Sequence, residues 1–148
     1  MALDLDSSGG PRFEYRTFWA EESGALGSNQ GEWSWGNGGT GAKGLPVGTG
    51  WMITEMSLHL DTITPNTLIQ VDLVDWRDTA VADAVVIASL FLDQTVDGFA
   101  ANNAAKLQLF NPFPPVPDDA IVGFLTRTVT GSANDGIASC TMRRIAIN

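Results

Sequence analysis

The sequence predicts an all-β protein, an antiparallel β-sandwich that is jelly-roll-like and has about eight strands. Short apolar segments alternate with polar residues, which is the period-two pattern of half-buried strands. Turn-forming residues separate these segments at fairly regular intervals, and no segment shows a convincing helical periodicity. The 148 residues fit one domain with its own hydrophobic core.

The chain begins with residues 1–11, which are rich in Asp, Ser and Gly and show no periodic pattern. We expect a flexible N-terminal arm here, either frayed or ordered against a neighbouring subunit. Residues 12–148 then form the single β-sandwich domain.

Four strands are predicted in the first half of the sandwich: residues 12–19, 32–35, 51–61 and 67–76. Strict alternation in the third of these strands places apolar residues on one face and polar residues on the other. The two sets are Met52, Met56, Leu58 and Leu60, and Glu55, Ser57, His59 and Asp61. In the fourth strand the inward residues are Ile69, Val71 and Leu73.

A glycine-dense segment, residues 36–50, joins the second and third predicted strands. It holds seven glycines and one proline, so a helix is excluded and a long loop or a close-packed strand crossing is expected. A loop of this length inside a compact domain is usually functional or buried by a partner. Gly36, Gly38 and Gly41 match the dinucleotide-binding spacing, but Gly44 and Pro46 prevent the helix that such a site requires.

The second half of the chain predicts four more strands: residues 84–92, 105–110, 120–129 and 136–147. In the strand at 105–110, Leu107 and Leu109 are expected to face the core. The connections are a polar loop at 93–103, an extended segment at 111–117 in which four of seven residues are proline, and a turn at 131–136.

The charge balance limits the partners of the protein. Seventeen acidic and eight basic residues give a net charge of −9, which argues against nucleic acid and against an anionic membrane surface. The acidity either serves solubility or matches a basic or neutral partner. No apolar run reaches the roughly 18–20 residues of a membrane helix, and the N-terminus is acidic where a signal peptide would be basic. We therefore expect a soluble protein that is cytoplasmic where it is made.

Catalytic and metal sites find little support in the sequence, so no catalytic residue, no metal and no cofactor is predicted. Cys140 is the single cysteine and lies in a predicted strand, where a buried thiol is expected. His59, the single histidine, is expected on the polar surface of a sheet. Asp72, Asp75, Asp78 and Asp83 lack the spacing of an EF-hand and are interpreted as solvated positions with Arg77 as a partner, although a calcium site at the edge of the sandwich stays open. Paired carboxylates for glycoside hydrolysis are a further, weaker alternative.

The five tryptophans admit two interpretations. Aromatic faces can form a sugar-binding platform, and tryptophan is also enriched in cores and subunit interfaces. We favour the second interpretation and predict an interface with another subunit or a partner protein that includes the aromatic residues Phe13, Tyr15, Phe18, Trp19, Trp33, Trp35 and Trp51.

Three segments resemble a family of small tailed-bacteriophage virion proteins, known as head decoration or fibre-like proteins and common in marine phages. The segments are FWAEE at residues 18–22, EWSWGNGGTGAKGLPVG at 32–48 and TVTGSANDGIASC at 128–140. The resemblance implies a jelly-roll-like homotrimer and a role in the virion. It covers the first third and the last fifth of the chain.

These observations together predict a non-enzymatic capsid decoration (cement) protein at the capsid surface of a virion. It would bind the major capsid protein and stabilise the assembled shell. The alternative is a receptor- or glycan-binding tip domain of a phage head or tail fibre, with a host-surface glycan as its partner.

Overall fold

The computed structural model describes residues 2–28, 33–35, 44–77, 84–99 and 103–147, with the backbone alone at residues 34 and 35. These residues form nine strands and one helical turn, α1 (Gln94–Asp97). The strands are β1 (Phe13–Ala25), β2 (Ser34–Trp35), β3 (Leu45–Pro46), β4 (Met52–Ile63), β5 (Leu68–Asp75), β6 (Val85–Asp93), β7 (Ala104–Leu109), β8 (Ile121–Thr130) and β9 (Ala133–Ile145).

The strands form two antiparallel sheets, with the orders β2-β1-β9-β4-β7 and β3-β8-β5-β6. The pairs are nested along the chain: β5 pairs with β6, β4 with β7, β3 with β8 and β1 with β9. A long hairpin folded over into two sheets has this arrangement, which is that of a jelly roll. The predicted fold class is therefore confirmed, and the two-residue β2 is an addition at one sheet edge.

The hydrophobic core lies between the two sheets. Alternate residues of β4 and β5 point into it, including Leu58, Leu60, Val71 and Leu73, each at most 1% exposed. The tryptophans at the two ends of the glycine-dense segment, Trp33 and Trp51, are also 1% exposed. The segment therefore connects two side chains that are both buried in the core.

Strand register corrects three predicted orientations. A bulge between Ile53 and Glu55 shifts the alternation, so Ile53 is fully buried while Met52 is only half-buried. Leu107 and Leu109 were expected in the core but are 56% and 65% exposed. Their pairing with Ser57 and Glu55 places them on the polar side of β4, because opposite residues of antiparallel strands share a face.

Several boundaries also differ from the prediction. Strand β1 continues to Ala25 through residues predicted as a connection, and β9 begins at Ala133 inside the predicted turn. The predicted loop at 93–103 contains α1, whose N-terminus is capped by the Asp93 carboxylate through the backbone N–H groups of Thr95 and Val96.

The N-terminal segment lies against the end of β9. Leu3 pairs with Ile147, and the Asp4 N–H donates to the Ala146 carbonyl at 3.0 Å. A turn around Asp6, whose carboxylate accepts from the backbone N–H of Gly10 at 3.0 Å, brings the chain back toward β1. The predicted flexibility of residues 1–11 stays a prediction.

Within the described parts of the chain, no helix has the length and apolar character that a membrane crossing requires.

Candidate functional site

The five-stranded sheet has one side away from the core, which we call the outer face. Antiparallel partners point to the same side of a sheet, so the register defines its members. Tyr15 lies opposite Arg143, Trp19 opposite Ser139, and Ser57 opposite both Ser139 and Leu107. The outer face comprises Phe13, Tyr15, Thr17, Trp19 and Glu21 of β1, Ile137, Ser139, Thr141, Arg143 and Ile145 of β9, Met52, Glu55, Ser57, His59 and Asp61 of β4, and Ala105, Leu107 and Leu109 of β7.

The outer face exposes several large apolar side chains. The exposed fractions are 61% for Tyr15, 56% for Leu107 and 65% for Leu109. Ile137 and Ile145 are exposed as well, and Trp19 is half-buried beside them. Single exposed apolar residues are normal, but a group on one sheet face indicates an interaction surface.

Short polar side chains form the middle of the outer face. The hydroxyl groups of Thr17 and Thr141 lie 3.0 Å apart, and those of Ser57 and Ser139 lie 2.6 Å apart. The Thr141 hydroxyl also donates to the Glu55 carboxylate at 3.2 Å. These hydrogen bonds link β1, β9 and β4 to one another across the outer face.

Aromatic and arginine side chains stack at one end of this sheet, which we call the Trp51 end. The Arg143 guanidinium lies between two rings, 4.4 Å from the centre of Phe13 and 4.3 Å from that of Phe113. Arg16 and Arg144 both lie over the Trp51 ring, at 4.9 and 4.6 Å. Stacking on a ring face stabilises a guanidinium and limits its motion.

The opposite end, which we call the Trp33 end, is closed by the Trp33 side chain. Its indole N–H donates to the Thr126 hydroxyl of β8 at 2.9 Å, and its ring centre lies 6.2 Å from that of Phe124. The indole also lies against Gly136 of β9 and so contacts both sheets. Trp33 is therefore a core residue that ties the two sheets together.

The structure divides the seven predicted interface aromatics into three groups. Three lie on the outer face and Phe18 packs against the core from β1. Trp33 and Trp51 are buried within one chain, which is the core alternative of the prediction, and they form no surface platform. The side chain of Trp35 lies outside the described residues. The three on the outer face are Phe13, Tyr15 and Trp19.

Two of the four clustered aspartates are structural and not solvated, contrary to the sequence interpretation. Asp72 is fully buried and accepts hydrogen bonds from Arg127, Ser89 and Gln70 at 2.9, 2.7 and 2.8 Å. A buried charge needs such partners because leaving water is costly. The other two, Asp78 and Asp83, lie outside the described residues.

Asp75 pairs with Arg77 as predicted, at 2.7 Å. Burial disfavours its ionised form, but hydrogen bonds from Arg77 and from the backbone N–H of Ile121 outweigh this effect and hold the pKa of Asp75 below its usual range.

The single cysteine and the single histidine lie on opposite sides of the five-stranded sheet. Cys140 is fully buried, and this burial raises the pKa of its thiol to about 12. His59 lies on the outer face, 3.7 Å from Asp61, with both side chains exposed to solvent. Across the described ranges, no three histidine, cysteine or carboxylate side chains converge as a metal site would require.

A groove of about 360 Å³ lies beside α1, on the outer side of the four-stranded sheet. Its apolar lining includes Leu68, Phe91 and Val96, which are 43%, 57% and 79% exposed. Thr128, Thr130 and the Lys106–Asp97 ion pair, 2.6 Å long, complete the lining. The groove leaves no signal in the sequence because its residues come from five separate elements, β5, β6, α1, β7 and β8.

Comparison with known proteins found no matching protein-family model and no matching curated protein. Solved structures do match. The chain is similar to one from the acidic stable capsid structure of Helicobacter pylori bacteriophage KHP30, with 10% identity, a TM-score of 0.45, and coverage of 93% of this chain and 97% of that one. It is also similar to the PRD1 vertex protein P5, with 12% identity, a TM-score of 0.43, and coverage of 93% and 100%.

A third similar structure is the virus-like particle of the extra small virus of the giant freshwater prawn Macrobrachium rosenbergii. The identity is 10%, the TM-score is 0.33, and the match covers 100% of this chain and 86% of that one. None of these likenesses assigns a function to the chain.

Proposed function

We propose that this protein is a non-enzymatic structural component of a virion. More closely, it is a capsid decoration (cement) protein that forms a homotrimer and binds the major capsid protein at the capsid surface. The observation on which the proposal depends is the outer face, where exposed apolar side chains lie beside side chains that hydrogen-bond across the strands.

The β7 side of the outer face is the part proposed to contact the shell. Leu107 and Leu109 are more than half exposed on a strand that forms the edge of its sheet. Burying apolar area at about 25 cal/mol per Å² favours binding, and a ligand that binds the assembled shell but not its parts stabilises that shell. The jelly roll supports this role because it is a fold that viral capsid proteins use; fold alone does not imply function.

Binding to purified empty capsids tests the proposal. Leu107→Asp and Leu109→Asp place a charge at the contact and should weaken co-sedimentation with capsids by about tenfold or more. Thr128→Asp, on the four-stranded sheet, adds the same charge at an exposed position outside the outer face and should bind like the unaltered protein. The melting temperature of the capsid should rise with the unaltered protein and with Thr128→Asp only. Equal binding by all variants, or no capsid binding by any, would refute the proposal.

The alternative is a receptor- or glycan-binding tip domain, and the groove beside α1 is the observation that favours it. An exposed aromatic ring next to hydroxyl groups suits a sugar, which has both apolar faces and hydroxyls. Phe91 and the hydroxyls of Thr128 and Thr130 supply these groups. Binding of host cells or glycans that Phe91→Ala abolishes, together with no affinity for capsids, would favour this alternative.

A further inference from the structure

The Trp51 end exposes a second apolar surface, on the β1 side of the sheet and distant from β7. Pairing of Leu3 with Ile147 holds the N-terminal segment beside the end of β9. Leu3, Leu5 and Ile147 are each at least half exposed, and Tyr15 and Ile145 continue the surface. Five exposed apolar side chains therefore lie at the same end of the sheet as the stacked arginines described above.

Two of these arginines have no carboxylate partner among the described residues. Arg12 pairs with Asp4 at 3.3 Å and Arg144 with Glu14 at 2.6 Å. Arg16 and Arg143 instead stack on aromatic rings. Because the rings hold both guanidinium groups in place, little side-chain freedom would be lost when an acidic partner binds them.

The Trp33 end of the same sheet has the opposite character. A cleft of about 300 Å³ is lined by the carboxylates of Glu21, Asp61 and Asp135 around Ile137, and its described lining includes no arginine or lysine. Arg16 and Glu21 are five residues apart on β1, which corresponds to about 17 Å along an extended strand. At the Trp51 end, Arg16 on the core side and Arg143 on the outer face remain after Asp4 and Glu14 have paired with Arg12 and Arg144. The unpaired arginines therefore lie toward one end of the sheet and the carboxylate-lined cleft lies at the other.

We propose that copies of this chain associate head to tail, with the arginines at the Trp51 end of one copy against the carboxylates at the Trp33 end of the next. The partner is a second copy because the chain presents the complementary carboxylates at its other end. The two surfaces of one copy are too far apart to meet each other. An interface between two different surfaces is heterologous and closes into a ring when the rotation permits, which includes a trimer. This inference rests on the proposed function, in which many copies act together on a shell.

A charge exchange tests the proposal by sedimentation of the free protein at increasing concentration. Arg16→Glu and Glu21→Arg alter the net charge in opposite directions, yet each should weaken self-association by about tenfold. The double variant Arg16→Glu/Glu21→Arg keeps the net charge at −9 and should recover association. Raising the salt concentration from about 0.05 to about 0.5 M should weaken association of the unaltered protein, since screening shortens the range of charge interactions. Circular dichroism checks that each variant is folded.

Three results would overturn the inference: an unaltered protein that stays monomeric at about 100 μM, single variants that associate normally, or a folded double variant that stays dissociated. Capsid co-sedimentation of the same variants separates the two proposals. A monomeric protein that still binds capsids contradicts head-to-tail association and leaves the decoration role intact, whereas an associating protein that never binds capsids contradicts the decoration role alone.

Discussion

Replacing Gly136 with alanine should destabilise the sandwich, because the added methyl group would meet a tryptophan that cannot move away. A Cβ at this position would lie 2.7 Å from Cη2 and 3.2 Å from Cζ3 of Trp33, and 3.3 Å from Cδ2 of Leu60. Carbon atoms pack best at about 3.5–4.0 Å. The indole is held by its hydrogen bond to Thr126 and by its contact with Phe124, so relief requires a shift of the sheets.

The expected magnitude follows from the type of contact. Overpacking a well-filled core costs about 1–3 kcal/mol. Gly136 is not in the left-handed region, so alanine adds no backbone strain and recovers roughly 0.5 kcal/mol of chain entropy. The net loss of about 0.5–2.5 kcal/mol corresponds to a melting temperature lower by about 1–10 °C for a domain of this size.

Calorimetry of matched variants provides the measurement. Gly48→Ala is the control, because the nearest atom to its new Cβ would be 4.0 Å away; its free energy of unfolding should change by about 0.5 kcal/mol or less. Trp33→Phe removes the ring atoms that collide with the methyl group, so Gly136→Ala should cost less in that background. An unchanged melting temperature for Gly136→Ala, or an equal loss in both backgrounds, would refute the proposed packing of Trp33.

Three further predictions concern buried polar groups and one concerns the thiol. Thr126→Val removes the acceptor of the Trp33 indole and should cost about 1–3 kcal/mol of unfolding free energy in urea; no loss would show that the hydrogen bond contributes nothing. Asp72→Ala leaves the Arg127 charge without its partner and should lower the free energy of unfolding by about 3–5 kcal/mol. The double variant Asp72→Ala/Arg127→Met removes both charges and should lose less of that free energy. Folding lowers the pKa of Asp75, so its contribution to stability is present above about pH 4 and is lost as the pH falls through the native pKa. Asp75→Asn should therefore make the free energy of unfolding less sensitive to acid. An unchanged dependence of that free energy on pH would contradict this. Cys140, with a pKa of about 12, should resist a thiol reagent in the native protein at about pH 8 and react once urea unfolds the chain; equal rates in both states would contradict its burial.

The local elements were predictable because period-two alternation is a local property. Strand β4 shows this best, since Leu58 and Leu60 are buried and Asp61 is exposed as its pattern predicts. The bulge after Ile53 was not predictable, because nothing in the neighbouring residues specifies which residue of β4 is left unpaired with β9. The nested pairing of distant strands likewise depends on the whole chain. The number of strands and the spacing of turns therefore predicted a jelly-roll-like sandwich but not the order of strands in each sheet.

The candidate site was less predictable than the fold. The pattern of β7 shows an alternation, but only its register with β4 decides that Leu107 faces outward and that Ala104, which is fully buried, faces inward. Tryptophan enrichment in both cores and interfaces left Trp33 and Trp51 ambiguous, and burial assigns them to the core. The separation of Arg16 and Glu21 along β1 is visible in the sequence. Only the pairing of β1 with β9, and of β9 with β4, places Arg143 near the first end of the sheet and Asp61 and Asp135 near the second.

The burial of Trp33 and Trp51 changes how the exposed apolar residues should be understood. With a large aromatic side chain closing the core at each end, one chain completes its interior without help from Leu107 or Leu109. Apolar side chains that are more than half exposed add little to folding, because they remain largely in water. Substituting aspartate at these positions should therefore leave the melting temperature of the free protein nearly unchanged while it reduces capsid binding. A large loss of stability in Leu107→Asp would mean that the outer face serves the fold of the single chain, and it would remove the main support for an interaction surface there.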